Sequence, residues 1–297
     1  SHLLSLGIAG PHMQSKAPAS LFFVWKKDGC IRMVFDGRQA NLLQRRPPRV
    51  YLGSPGSMAD LDLSSASLQM GGYGSITEFQ LSFGDADVKE AYYQFSVRCL
   101  GSWFSLERVR AGDYQISHAF CDIQQCMVEV SPDSFVWICI DAMCMGWSWA
   151  AFFCQAGTVD AANSGFSGAS QQQLQERSPP PLLRPSKPLL SVYIDNFLAI
   201  AGSRADAVMA SDGFSKACSE RGVSIHAEHV GVSCIESLGL DIEGTRRLVL
   251  HKSPRLWRFV LASTALLRRR RWRSEMVEIW LGHCVCITAL QRPLLSI

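Results

Sequence analysis

Asp87 and Asp195 are where chemistry would begin in this chain. Each stands at the end of an apolar stretch, in "LSFGDADV" and "VYIDNFLAI". Two carboxylates converging from separate strands are what a divalent metal pair needs. Mg²⁺ takes hard oxygen ligands, commonly one or two carboxylates plus substrate phosphates. Two such ions about 4 Å apart can serve both the attacking and the leaving oxygen of a phosphoryl transfer. Taken singly, each Asp also reads as an ordinary turn former. Asn196, directly after Asp195, is an amide where a second carboxylate would complete the charge.

The elements that must position these residues are legible in outline. "LFFVWKKDGCIRMVFDGR" places apolar arms around Asp-Gly, which predicts a hairpin. "RRPPRV" and "GSPGS" break the chain after it. Alternation around Asp85 and Asp87 predicts a strand, and "SFVWICID" a buried one. "MGWSWAAFFCQAGTVDAA" predicts a helix opened by Gly146. Residues 164–188, rich in Ser, Gln and Pro, read as an exposed loop inside the domain. Asp195 sits on a hairpin turn, a helix covers 203–221, and "ESLGLDIEGTRRLVLHKS" predicts another hairpin. From Ser253-Pro254 onward the pattern is helical. No internal repeat is present.

Composition narrows the class. The 297 residues are 47% hydrophobic and 19% charged, sufficient for a sizeable core. The net charge of +3 makes any nucleic-acid surface a local one. No run of 18 apolar residues free of charge appears, so no membrane span is expected. The N-terminal stretch lacks a basic region, so no signal peptide is expected and an intracellular location is. The 11 cysteines are scattered without a CxxC pair. This favours buried thiols over zinc or a disulfide framework.

Taken together, the motifs resemble the fingers and palm of a reverse transcriptase of retrotransposon or retrovirus type. The resemblance runs from about Phe22 to about Leu295. "VWKKDGCIRMVFDGRQAN" is similar to the fingers hairpin, which implies triphosphate contacts for Lys26, Lys27 and Arg32, with Asp36 and Arg38 as the D-x-R that follows. "DVKEAYYQF" resembles the first palm motif, which implies that Asp87 is a metal ligand and Tyr92 lies under the sugar. Gly146 and Gln155 match the segment beneath the template and new base pair. "YIDN" stands where the family has Y-x-D-D. "SLGLDIEG", with Leu238 and Gly239, resembles the primer grip. His229 falls where a lysine protonates the leaving pyrophosphate, and reads either as that general acid or as an exposed loop histidine.

The resemblance implies an α+β fold, a polymerase right hand with an antiparallel palm sheet and a small helical thumb. Residues 1–20 would be an N-terminal extension, 21–86 fingers, 87–244 palm with the 164–188 insertion, and 245–297 a thumb-like helical region. It implies RNA-directed DNA synthesis with Mg²⁺ or Mn²⁺, dNTPs and an RNA or DNA template with its primer as partners. Other domains of a polyprotein would accompany it. Asp87, Asp195 and Asn196 would form the catalytic set, and Tyr92 would exclude a ribose 2′-OH. "LLRRRRWRSEM" offers Arg268, Arg269, Arg270, Arg271 and Arg273 to a duplex backbone, or to solvent along a helix face. The second function class is a decayed or repurposed domain that binds nucleic acid without synthesis. Asn196 and the insertion are its support.

Overall fold

A computed structural model describes residues 2–25, 29–74, 79–226, 229–269 and 271–290. The chain divides into two compact units, residues 1–50 with 89–157, and residues 51–88 with 158–297.

The first unit holds α1 (His2–Ser5), β1 (Ala9–His12), β2 (Ser20–Trp25), β3 (Ile31–Asp36) and α2 (Arg38–Leu43). After the excursion through the second unit, it continues with α5 (Ala91–Gln94), β5 (Ser105–Arg110), β6 (His118–Cys121), β7 (Cys126–Glu129) and β8 (Phe135–Ile140). β2 and β3 form the expected hairpin, with Trp25 opposite Ile31. The other strands form a sheet in the order β5-β8-β1-β6-β7. β1 is central despite the sequence "AGPH". It is anchored by fully buried His12, whose Nε2 lies 2.7 Å from Asp141 Oδ1. Arg98 completes the pairing of Asp141 at 2.8 Å. Hydrogen bonds and an arginine beside it recover part of what a buried carboxylate loses on leaving water.

The second unit holds α3 (Pro55–Ala59), α4 (Ser65–Gly71), β4 (Ser82–Val88), β9 (Gln173–Leu174), β10 (Leu189–Tyr193), β11 (Asn196–Ala201), α7 (Arg204–Glu220), β12 (Ile225–His226) and β13 (Val230–Val232). α6 (Ala150–Asn163) runs from the first unit into it. The strand order is β12-β4-β11-β10-β9, with β13 also on β4. β11 runs antiparallel between β10 and β4, and β12 pairs with the other edge of β4, so β4 lies inside the sheet.

Period-2 alternation sorts the side chains of this sheet. Phe83, Leu198, Ile200 and Leu189 enter a core that also takes Leu174 and Leu240. The opposite face packs on α7, where Phe197 stacks on Phe214 with centroids 4.2 Å apart. α7 buries Ala207, Ala210, Ser211, Phe214, Ala217 and Cys218, the stripe a 3.6-residue period dictates. Its N-cap Ser203 accepts a hydrogen bond from the Asp206 N–H.

Residues 164–188 are irregular, as their composition implies, yet not wholly exposed. Leu174 and Leu183 are buried in the core, and β9 pairs with β10. Two leucines suffice to pin a polar segment, and composition alone averages them away. A meander of β14 (Cys234–Ser237), β15 (Leu240–Glu243) and β16 (Leu248–His251) follows. α8 (Ser253–Leu267) and α9 (Ser274–Thr288) end the described chain, meeting where Phe259 stacks on Trp280.

Candidate active site

The candidate site lies on one rung of the second unit's sheet. Asp87 is directly opposite Asn196 on β11 and His226 on β12, and Asn196 is opposite Tyr193. Residues opposed in this way in antiparallel strands have Cα atoms roughly 4.5–5.5 Å apart and side chains on the same face. Asp195 occupies the β10–β11 turn, where its carbonyl accepts the Val88 N–H at 2.9 Å. The fold therefore brings Asp87, Asp195 and Asn196 together at one end of the sheet.

The turn is tight, with Ile194 and Asp195 between the paired Tyr193 and Asn196. Ile194 has φ 59°, a conformation that a β-branched side chain adopts only under strain. Strain of about 1–3 kcal/mol is typical of such residues and concentrates at functional sites. Asn196 Nδ2 donates to Asp195 Oδ1 at 2.9 Å. A carboxylate at position 196 could not make that bond without a proton.

One rung further along the same face of β4 is Asp85, opposite Leu198. His229 is clamped to it. The His229 N–H donates to Asp85 Oδ1 at 2.8 Å, the Asp85 N–H donates to the His229 carbonyl at 3.0 Å, and Nδ1 lies 3.2 Å from Oδ1. His229 is an exposed residue just before β13, held in place by Asp85. Sequence reasoning passed over Asp85 and His226. The D-x-D spacing on a strand, which puts both acids on one face, was the available signal for Asp85.

The remaining expected residues are carried by other elements. Arg32 is exposed on β3, and Tyr92 is half-buried on α5. β3 holds α5 through Tyr93, whose hydroxyl donates to the Met33 carbonyl at 2.9 Å. Gly146, at φ 112°, packs so closely on β3 that a Cβ would strike the Phe35 carbonyl oxygen. Gln155 is buried on α6. Asp36 and Arg38 form their own ion pair, with Arg38 Nε donating at 2.9 and 3.0 Å. The Arg38 hydrogen bonds hold the Asp36 carboxyl below its ordinary range. Leu238 and Gly239, both at positive φ, form the two-residue turn between β14 and β15. Arg268, Arg269 and Arg271 are exposed in the connection between α8 and α9, not along a helix face. Lys26, Lys27 and Arg270 lie outside the described residues.

The donors at this end of the sheet, the Asp87 carboxylate and Asn196 amide on the rung and the Asp195 carboxylate on the turn, offer oxygen to a cation and suit Mg²⁺ or Mn²⁺ completed by substrate phosphates. Among the described residues no group of three or more His, Cys, Asp or Glu side chains could hold a metal unaided. Two protein carboxylates fit an ion that relies on its substrate for further ligands. Among the described residues no helix is long and apolar enough to cross a membrane.

An antiparallel sheet with helices on one face, two acids at its end and a separate β-rich unit define the α+β fold of reverse-transcriptase fingers and palm. Two solved structures carry the comparison. The foamy viral protease-reverse transcriptase in complex with dsDNA aligns with TM-score 0.54 and 14% identity over 99% of this chain. The foamy viral protease-reverse transcriptase dRH in complex with ds DNA aligns with TM-score 0.53 and 14% identity, again over 99%. The chain spans 49% and 41% of those two chains. At this identity the likeness is one of fold. No family model matches the sequence, and no curated protein does.

Proposed function

We propose that this chain is the polymerase portion of an RNA-directed DNA polymerase from a retroelement, extending a primer 3′-OH with dNTPs on an RNA or DNA template. The observation that carries the reading is the rung joining Asp87 to Asn196, with Asp195 docked beside it. Asp87 and Asp195 would hold Mg²⁺ or Mn²⁺. When bound, such ions neutralise the charge of the triphosphate and of the attacking oxygen.

The chain's own residues supply the rest. Arg32, with Lys26 and Lys27, receives the triphosphate. Tyr92 closes the sugar pocket against a 2′-OH, so Tyr92→Val should admit ribonucleotides. Asp85 accepts from His229 Nδ1, which leaves Nε2 to donate a proton to departing pyrophosphate. Gly146 and Gln155 support the template side, Leu238 and Gly239 the primer. Arg268, Arg269, Arg270 and Arg271 contact the duplex backbone. Catalysis of this kind is mostly positioning and charge stabilisation. Further domains on the parent polypeptide and an intracellular setting belong to the same reading.

Primer extension on poly(rA)/oligo(dT) against Mg²⁺ and Mn²⁺ concentration tests it. Asn196→Asp should lower the metal requirement, and Asp195→Asn or Asp87→Asn should abolish synthesis. Silence of Asn196→Asp, in a folded protein that binds primer–template, would remove the polymerase assignment.

A further inference from the structure

The β6–β7 hairpin of the first unit carries a thiol pair that none of the residues above uses. Cys121 ends β6 and Cys126 opens β7, and the two stand directly opposite each other. Among the described residues no other two cysteines are opposed in a sheet. Opposed residues of antiparallel strands point to the same face. Cys126 is exposed and Cys121 half-buried, so small molecules can reach the pair, and the thiols are not bridged. Their spacing follows from the register. At the far end of the hairpin the Val130 N–H donates to the Ser117 carbonyl at 2.9 Å. Hydrogen-bonded pairs alternate along such a ladder, which makes Cys121–Cys126 one of them, with Cα atoms about 5.5 Å apart. A disulfide accepts Cα separations of about 4.4–6.8 Å but wants its Cβ atoms about 3.8 Å apart, closer than opposed strand residues ordinarily stand. The bond can form with the hairpin end drawn in, and that strain makes it easy to reduce.

The turn between the two thiols is held from both ends. Asp122 is gripped by Lys16 at 2.7 Å and by the Ser102 hydroxyl. Gln125, at φ 54°, donates its N–H to the Cys121 carbonyl at 2.8 Å and its Nε2 to the Asp122 carbonyl at 2.6 Å. A fixed turn keeps one thiol beside the other, so a step between them is intramolecular. We infer that Cys121 and Cys126 form a reversible dithiol–disulfide couple that exchanges with low-molecular-weight disulfides of the glutathione type. The more exposed Cys126, as thiolate, attacks one sulfur of glutathione disulfide. A protein–glutathione S–S bond forms, the S–S bond of the reagent breaks, and one glutathione leaves. The Cys121 thiolate then displaces the second glutathione and closes the bond to Cys126. The two protein thiols lose two electrons and two protons, and the two glutathione thiols gain them. The product closes a ring over residues 121–126 and locks the hairpin that presents Asp122 to Lys16. The inference goes beyond the polymerase reading and does not depend on it.

The full chain, reduced and then freed of reductant, is equilibrated in buffers of graded glutathione to glutathione disulfide ratio and quenched with N-ethylmaleimide. An endoproteinase that cuts before Asp113, Asp122 and Asp133 separates the two cysteines. Oxidised protein should yield peptides 113–121 and 122–132 joined by one S–S bond, about 2 Da lighter than the two reduced peptides together. Dithiothreitol should undo the link. The linked pair should appear at a level of glutathione disulfide about tenfold below that needed to modify Cys234, an exposed thiol that faces Glu243 instead of a second cysteine. Cys121→Ser should halt the exchange at its first step and leave peptide 122–132 about 305 Da heavier, with one glutathione on Cys126. Separate glutathione adducts on Cys121 and Cys126 of the wild type, to the extent found on Cys234, overturn the inference. So does a link from either residue to another cysteine in preference to its opposite.

Discussion

Asn196 illustrates what a single amide does between two competing demands. Its Nδ2 donates to Asp195 Oδ1, so the turn gains a hydrogen bond and avoids two adjacent negative charges. Asn196→Asp reverses both effects. Without metal it should lower the melting temperature, by an amount corresponding to about 1 kcal/mol. Millimolar Mg²⁺ should restore it more strongly than in the wild type. Thermal melts of both proteins with and without Mg²⁺ check this independently of synthesis, and an equal response to Mg²⁺ would count against a metal at this rung. A second residue-scale expectation concerns Asp122, whose side chain is 4% exposed beside Lys16 at 2.7 Å. Burial pushes its carboxyl up, but hydrogen bonds from Lys16 and Ser102 outweigh that and hold it below the usual value. A folded pKa below the unfolded one contributes stability above the unfolded pKa near 4, and that stability is lost as pH falls through the folded value. Lys16→Met should therefore move acid unfolding to higher pH, read by circular dichroism between about pH 5 and pH 2.

At the scale of elements, legibility in the sequence followed the strength of local signals. α7 could be read because Ser203 caps it and its apolar stripe is regular. The Asp195 hairpin could be read because two apolar strands flank the charged Asp195. β1 could not, since Gly10 and Pro11 argue against a central strand. What holds it is long-range, the His12–Asp141 pair across 129 positions. The Asp85–His229 clamp, spanning 144 positions, was hidden for a related reason. β13 reaches β4 through a register shift between Val230 and Val232, so no local alternation announces which residue faces the acids. α7 also offers a test in which two effects oppose each other. Gly213→Ala gains up to about 1 kcal/mol of helix propensity. A Cβ there would strike the backbone of Gly165, which has no side chain to rotate away. Overpacking of this kind costs about 1–3 kcal/mol, so the variant should be destabilised, contrary to propensity alone. Chemical denaturation decides the sign.

For the whole molecule, the thiols report how the core is distributed. Cys139, Cys144, Cys154 and Cys218 are buried, while Cys30, Cys99, Cys126, Cys234 and Cys286 are exposed. Burial pushes the Cys218 thiol up to about 11 and those of Cys139 and Cys144 higher still. Alkylation of the native protein near pH 8 should modify the five exposed positions and spare the four buried ones until denaturant is added, as peptide mass spectrometry would show. The position of β4 has a consequence at this scale as well. Its neighbours are supplied by residues 196–201, 225–226 and 230–232, long after residues 82–88 have left the ribosome. Through that interval the nascent chain carries an apolar strand with two open edges, the kind of template on which chains aggregate. Asp85 and Asp87 are the charges on that strand, and like charges brought into register repel a second copy. Before they can serve any chemistry, the two acids are placed to discourage pairing of β4 with a second copy until its proper partners are made.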